Sequence, residues 1–147
     1  MASATPHTIL LQVNGLERPV FEKNAGEAGI KPGHLLAISG GNVVRQNTAG
    51  ATVLKRIAIE HGYRNTGSTL NIETAYANND TVPFVYAQSG DLVYMILKNG
   101  QNVAAGALLE AATGGEVQAV TTGFVIGAAE EAANASGGAV RVKVRIA

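Results

Sequence analysis

One short pattern occurs twice in this chain. Ile30-Lys-Pro-Gly-His-Leu-Leu36 runs through Gly40-Gly41 to Val43-Val44, and Val103-Ala-Ala-Gly-Ala-Leu-Leu109 runs through Gly114-Gly115 to Val117. In each copy a β-branched residue stands three before a glycine, Leu-Leu follows, and Gly-Gly precedes another valine. The pattern reads as a turn, a short buried strand, a tight hairpin and a return strand. Gly33 and Gly106 suit a backbone with positive φ, and Gly-Gly suits the hairpin turn. No catalytic residue lies inside either copy, so the repeat points to architecture before chemistry.

The rest of the chain carries the same signals. Strands are expected at Thr8–Val13, closed by the turn dipeptide Asn14-Gly15, and at Pro19–Glu22. Thr52–Glu60 has some helical spacing, but its β-branched content favours a strand. Thr81–Ala87 reads as a strand whose Pro83 belongs at a sheet edge or a strand start. Leu92-Val-Tyr-Met-Ile-Leu97 is a continuous apolar run, the mark of a buried central strand. Gly127–Ala133 has the composition of a helix, yet its position between Phe124-Val-Ile126 and a glycine-rich turn favours a strand. Val140-Arg-Val-Lys-Val-Arg-Ile146 alternates apolar and basic residues with period two, as a half-buried strand does. Strands about every ten residues indicate an all-β fold, a compact barrel or sandwich. A mobile N-terminal arm over residues 1–8 and one β domain over 9–147 are expected.

Composition narrows the function classes. Apolar residues make up 46%, aromatic residues 5%, and there are 18 glycines and no Trp. A thin core of small side chains and many tight turns follow from this. Eleven basic residues balance eleven acidic ones, which gives no overall electrostatic case for nucleic acid, an anionic membrane or an acidic substrate. The absence of cysteine excludes disulfides, thiolate metal sites and cysteine nucleophiles. No apolar stretch approaches the ~20 residues of a membrane helix, and the first seven residues lack the pattern of a signal peptide.

Candidate chemical residues do not assemble into a site. His7, His34 and His61 lie far apart with no partner at metal-ligand spacing, and His34 is expected to face solvent on the repeat turn. No serine stands in a nucleophile-elbow context. Asp80 and Asp91 sit in turn-like settings that an Asx turn explains. Glu130 and Glu131 are adjacent, so on a strand they would face opposite sides and form no acid/base pair. The Gly-Gly pairs lack the Gly-Lys-Ser/Thr of a phosphate loop. Neither an enzyme nor a cofactor is expected. Arg141, Lys143 and Arg145 form a basic stripe, which is either a solvated face or a docking stripe for an acidic partner.

From Ile72 onward the chain resembles the capsid decoration, or cement, proteins of tailed bacteriophages. The likeness is carried by Ile72-Glu-Thr-Ala-Tyr-Ala77, Asp80-Thr-Val82, Gly90-Asp-Leu-Val-Tyr94, Asn99–Glu110 and Asn134–Ile146, roughly half the chain. The resemblance implies a non-enzymatic protein on the outside of the virion, made in the host cytoplasm. Such a protein binds the major capsid protein of the expanded icosahedral head and staples neighbouring capsomers. It also implies self-association, as a homotrimer first and a dimer second. No binding residue transfers through a motif. The residues expected to touch the capsid are Ala4, Thr5, Pro6 and His7 in the arm, Arg64 and Asn65 in the polar loop, and the stripe Arg141, Lys143 and Arg145. The repeat also resembles the half-motifs of biotinyl- and lipoyl-type barrel sandwiches, which would make the chain a carrier or ligand-binding module. Both Gly-Gly turns lack the lysine such a carrier needs at its hairpin tip.

Overall fold

A computed structural model describes residues 6–61 and 71–147. The fold is all-β. The apolar run near the middle of the chain organises it. β7 (Leu92–Leu97) is buried at every position and pairs with β1 (Leu10–Gln12) and, over its whole length, with β13 (Val140–Ile146). From β7 the sheet continues through β10 (Val117–Ala119), β9 (Leu108–Ala111) and β11 (Val125–Ala129) back to β13, which closes a five-stranded barrel. The alternation of the last strand is resolved by this closure. Val142, Val144 and Ile146 point into the barrel, and the three cations between them point out.

A second, smaller assembly stands beside the barrel. β2 (Phe21–Asn24), β6 (Thr81–Tyr86) and β5 (Arg56–Ala58) form a three-stranded sheet, and β3 (Leu36–Ser39) and β4 (Asn42–Arg45) form a hairpin. Its core gathers Ile30, Leu36, Val43, Tyr76, Val82 and Phe84, separate from the barrel core around Leu97, Leu109 and Met95. These interiors hold Ile, Leu, Met and aromatic side chains, so the core is less thin than composition implies. The lone pair of strands β8 (Asn102–Val103) and β12 (Ala133–Asn134) completes the sheet inventory of the described residues.

The two repeat copies fold as hairpins in different assemblies. Gly40 and Gly41 have φ of 57° and 82°, a two-residue turn open to glycine at both positions. In the second copy a short 3₁₀ turn, Thr113–Gly115, joins β9 to β10 instead. The copies then bond to each other. Leu35 N–H donates to Gly115 O (2.8 Å), Gly115 N–H to Gln46 O (2.7 Å), and Gln46 N–H to Leu35 O (2.8 Å). The Leu-Leu of the first copy splits across this junction. Leu35 enters the barrel core and Leu36 the smaller one, because successive side chains on extended backbone face opposite ways.

Pro83 departs from its expected place. It is the third residue of β6, the central strand of its sheet, with β2 on one side and β5 on the other. Its backbone faces Ile59, whose N–H donates to Pro83 O (3.0 Å). A residue with an N–H would return a bond to Ile59 O, and proline has none. The Tyr76 hydroxyl donates to Ile59 O instead (2.8 Å). One borrowed side-chain donor makes a central proline tolerable.

Candidate functional site

The basic stripe on β13 is spent within the chain. Arg141 donates to Glu73 Oε1 (2.9 Å) and to the carbonyls of Pro32 (2.6 Å) and Ile72 (2.6 Å). Lys143 pairs with Glu131 at 3.6 Å, and Arg145 with Glu130 at 2.7 Å. Arg145 also donates to Gln12 Oε1 and Gly90 O. Glu130 and Glu131 do not face opposite sides, because the chain leaves β11 at Ala129 and bends. Both carboxylates then fall on the outer face of β13, each opposite a cation. The stripe is therefore a laced, near-neutral face. Of the other expected contact residues, His7 is exposed and Pro6 half-buried, while Ala4, Thr5, Arg64 and Asn65 lie outside the described residues. The arm is tethered from its last residue on. Thr8 Oγ1 donates to Glu60 (2.5 Å), and Ile9 is buried in the barrel core.

Three buried polar groups have structural weight that sequence spacing did not reveal. Asp91 is more than an Asx-turn residue. It is fully buried, accepts N–H bonds from Asn14 (2.8 Å) and Gln88 (2.9 Å), and takes two bonds from the Arg18 guanidinium (2.9 Å each). Burial alone would raise its pKa. The Arg18 bonds, then the two backbone N–H groups, outweigh that and hold it below the usual carboxylate range. His34 does not face solvent; it is 5% exposed. Burial, with Arg45, Arg141 and Lys31 nearby, pushes its pKa down to about 3, so the imidazole is neutral.

Glu110 is the third. Leu109 and Ala111 enter the barrel, so Leu108 and Glu110 lie on the outer face of β9. Glu110 is nevertheless buried, because two loops roof it. It accepts bonds from Gln118 Nε2 (2.7 Å), Thr121 Oγ1 (3.1 Å) and Gly123 N–H (2.7 Å). The Gln118 amide leads these donors in holding the carboxyl below its usual range against the push of burial. The loops cross glycine on glycine: a Cβ built on Gly123 would lie 2.2 Å from Gly50 Cα. Gly50 N–H donates to Ala111 O, and Phe124 N–H to Gly50 O.

That roof ends in uncovered apolar side chains. Phe124 is 64% exposed, Leu54 on the neighbouring 51–55 segment 66%, and Val125 is also exposed. Leu108 is 54% exposed. It occupies the position in the second copy that Leu35 holds in the first, and Leu35 is fully buried. The same residue in the same repeat is covered in one copy and bare in the other. A second apolar groove, lined by Leu16, Pro19, Phe21 and Tyr86, lies along the start of β2, where Phe21 packs edge-on against Tyr86 at 5.4 Å. No protein-family model and no curated protein matches this chain.

Proposed function

We propose that this chain is a capsid decoration protein of a tailed bacteriophage. It binds the outer surface of the expanded head, staples neighbouring capsomers of the major capsid protein, and carries out no reaction. It acts on the virion exterior as a self-associating protein, in threes by resemblance to other cement proteins. The observation that supports this reading best is the apolar edge of Phe124 and Val125, which stand exposed together at the end of a roof that Glu110 bonds from beneath. Exposed apolar side chains grouped in this way mark a place where another surface settles, and a tip bonded from beneath loses less entropy on contact than a free loop. With the β13 cations already paired, this tip replaces the basic stripe as the favoured contact. A protein bound only to the expanded state stabilises that state by mass action, and several anchors in one oligomer raise the avidity.

The test is cosedimentation of the purified chain with undecorated expanded heads of a phage that carries it. Saturable binding at a fixed number of copies per head is expected. No binding, or unsaturable binding, refutes the proposal.

A further inference from the structure

A cavity of about 370 Å³ opens beside the junction of the two repeat copies. The first copy lends Lys31 and His34 to its wall, β4 ends in it with Arg45, and Glu116 follows the Gly-Gly of the second copy. Arg141 and Glu73 close the side toward β13. The backbone bonds between Leu35, Gly115 and Gln46 hold these pieces in place.

The donors in this wall are unevenly occupied. His34 Nδ1 accepts the Lys31 N–H at 2.9 Å, which assigns the ring proton to Nε2. That Nε2–H has no hydrogen-bond partner among the described residues, and it is not sealed from solvent. The ring is part of the cavity wall, and Nε2–H is the donor it has left to offer a ligand there. Arg45 gives its backbone N–H and its Nε to Glu27 Oε1 (2.7 and 3.0 Å), which leaves both Nη groups without a partner among the described residues. Lys31 Nζ stands 3.9 Å from Glu73, a loose pairing. Arg141 directs four of its five N–H groups to Glu73 and to the carbonyls of Pro32, Tyr94 and Ile72, so it contributes mainly charge.

The charge nearest His34 is positive. Arg45, Arg141 and Lys31 all oppose protonation of His34, and Glu27 alone favours it. Across the lining the cations Lys31, Arg45 and Arg141 meet the carboxylates Glu73 and Glu116, and Glu27 pairs with Arg45 from just outside it. With the charges of the wall near balance, its open N–H donors select the ligand, and a monoanion adds the least charge to it. A dianion would place its second charge near Glu73 and Glu116 with nothing to pair it.

We propose that this cavity binds a carboxylate, held by His34 Nε2–H, the free Nη groups of Arg45 and Lys31 Nζ. Charge-assisted bonds of this kind are the stronger ones, and guanidinium suits the planar group. The carboxylate comes either from a small free acid or from an Asp or Glu side chain of a protein this chain lies against. Only the second source rests on the decoration reading.

The experiment titrates acetate into the intact chain at constant ionic strength, with chloride as the balancing ion, and follows the His34 ring nitrogens by NMR. A saturable shift with a Kd of about 1 mM is expected, within the limit for so small a ligand. Sulfate should bind more weakly under the same conditions. Lys31→Gln, a change at a partly exposed side chain, should weaken acetate about three- to tenfold, the worth of one charge-assisted bond near the surface. Absence of saturation through the millimolar range, or an equal Kd in Lys31→Gln, overturns the proposal. A second arm repeats the head-binding assay with acetate present. Competition assigns the carboxylate to the capsid surface, and lack of competition assigns it to a free acid; either supports the site. If heads fail to bind at all, the decoration reading falls and the acetate result stands on its own.

Discussion

Replacing Asp91 by Asn tests the physical account of the fold most severely, because the side chain keeps its shape and loses only its charge. Asp91 is fully buried, and Arg18, its partner, is 11% exposed at the side chain. Two guanidinium bonds and two backbone N–H bonds converge on the two carboxylate oxygens. An amide keeps one acceptor and turns the other into a donor that faces donors. Removing one member of a buried pair in this way costs about 3–5 kcal/mol, since the other charge is stranded. Against a total stability of about 5–15 kcal/mol, that is a large share. For a chain of this size it corresponds to a fall in Tm of about 6–20 °C. The site also joins distant parts of the chain. Asn14 and Arg18 approach from the N-terminal side, and Ile146 N–H donates to Asp91 O (2.9 Å) from the last strand. Urea unfolding of both proteins at neutral pH measures the loss. The pH dependence follows from the depressed pKa in the folded state. The wild-type advantage is present above the ordinary Asp value, about 3.9, and disappears as pH falls through the lower, folded value. A loss under about 1 kcal/mol refutes the reasoning. So does a gap between the two proteins that has already closed well above pH 4.

Three further outcomes are expected. Gly123→Ala forces a Cβ to within 2.2 Å of Gly50 Cα and 2.4 Å of Glu110 Oε2, so the crossing loops must separate; an overpacking loss of about 1–3 kcal/mol in chemical unfolding and weaker head binding should appear together, and unchanged stability would show that the crossing yields easily. Tyr76→Phe should cost about 1–3 kcal/mol by orphaning Ile59 O, and Pro83→Ala should recover part of that in the double variant by returning an N–H to the ladder; strict additivity of the two changes would contradict the substitution of one donor for another. Finally, the His34 ring resonances should stay flat from pH 8 down to about 4.5, consistent with a pKa near 3. Because the unfolded chain binds that proton more readily, stability should fall as pH drops from about 6.5 toward 3, and an NMR midpoint near 6.5 would refute the neutral, buried imidazole.

Much of the framework was legible in the sequence because it depends on local rules. The alternation of Val140–Ile146, the unbroken apolar run Leu92–Leu97 and the Gly40-Gly41 hairpin each became the strand or turn their pattern requires, while Gly114-Gly115 joins its strands through a 3₁₀ turn. What escaped depends on contacts between segments far apart in the chain. Pro83 could occupy a central strand only because Tyr76 arrives to bond Ile59. His34 became buried because the second repeat copy closes over it, and no residue near position 34 announces that. The outward direction of the β13 cations follows from their alternation with Val142, Val144 and Ile146, yet their neutralisation depends on Glu73, Glu130 and Glu131, which come from other segments. The exposure of Leu108 was missed for a similar reason. Leu35 and Leu108 are equivalent in sequence, and only the packing around each decides that one is core and the other surface.

The most direct test of the functional account is the disruption temperature of undecorated expanded heads, measured by scanning calorimetry alone, with the chain, and with its Phe124→Asp variant. Phe124 is 64% exposed, so the substitution leaves the fold intact while placing a charge on the tip. The account predicts a higher disruption temperature with the chain and little or no rise with the variant. The same temperature in all three samples would contradict the claim that this protein cements a capsid, and an equal rise with both proteins would contradict the claim that it does so through this tip.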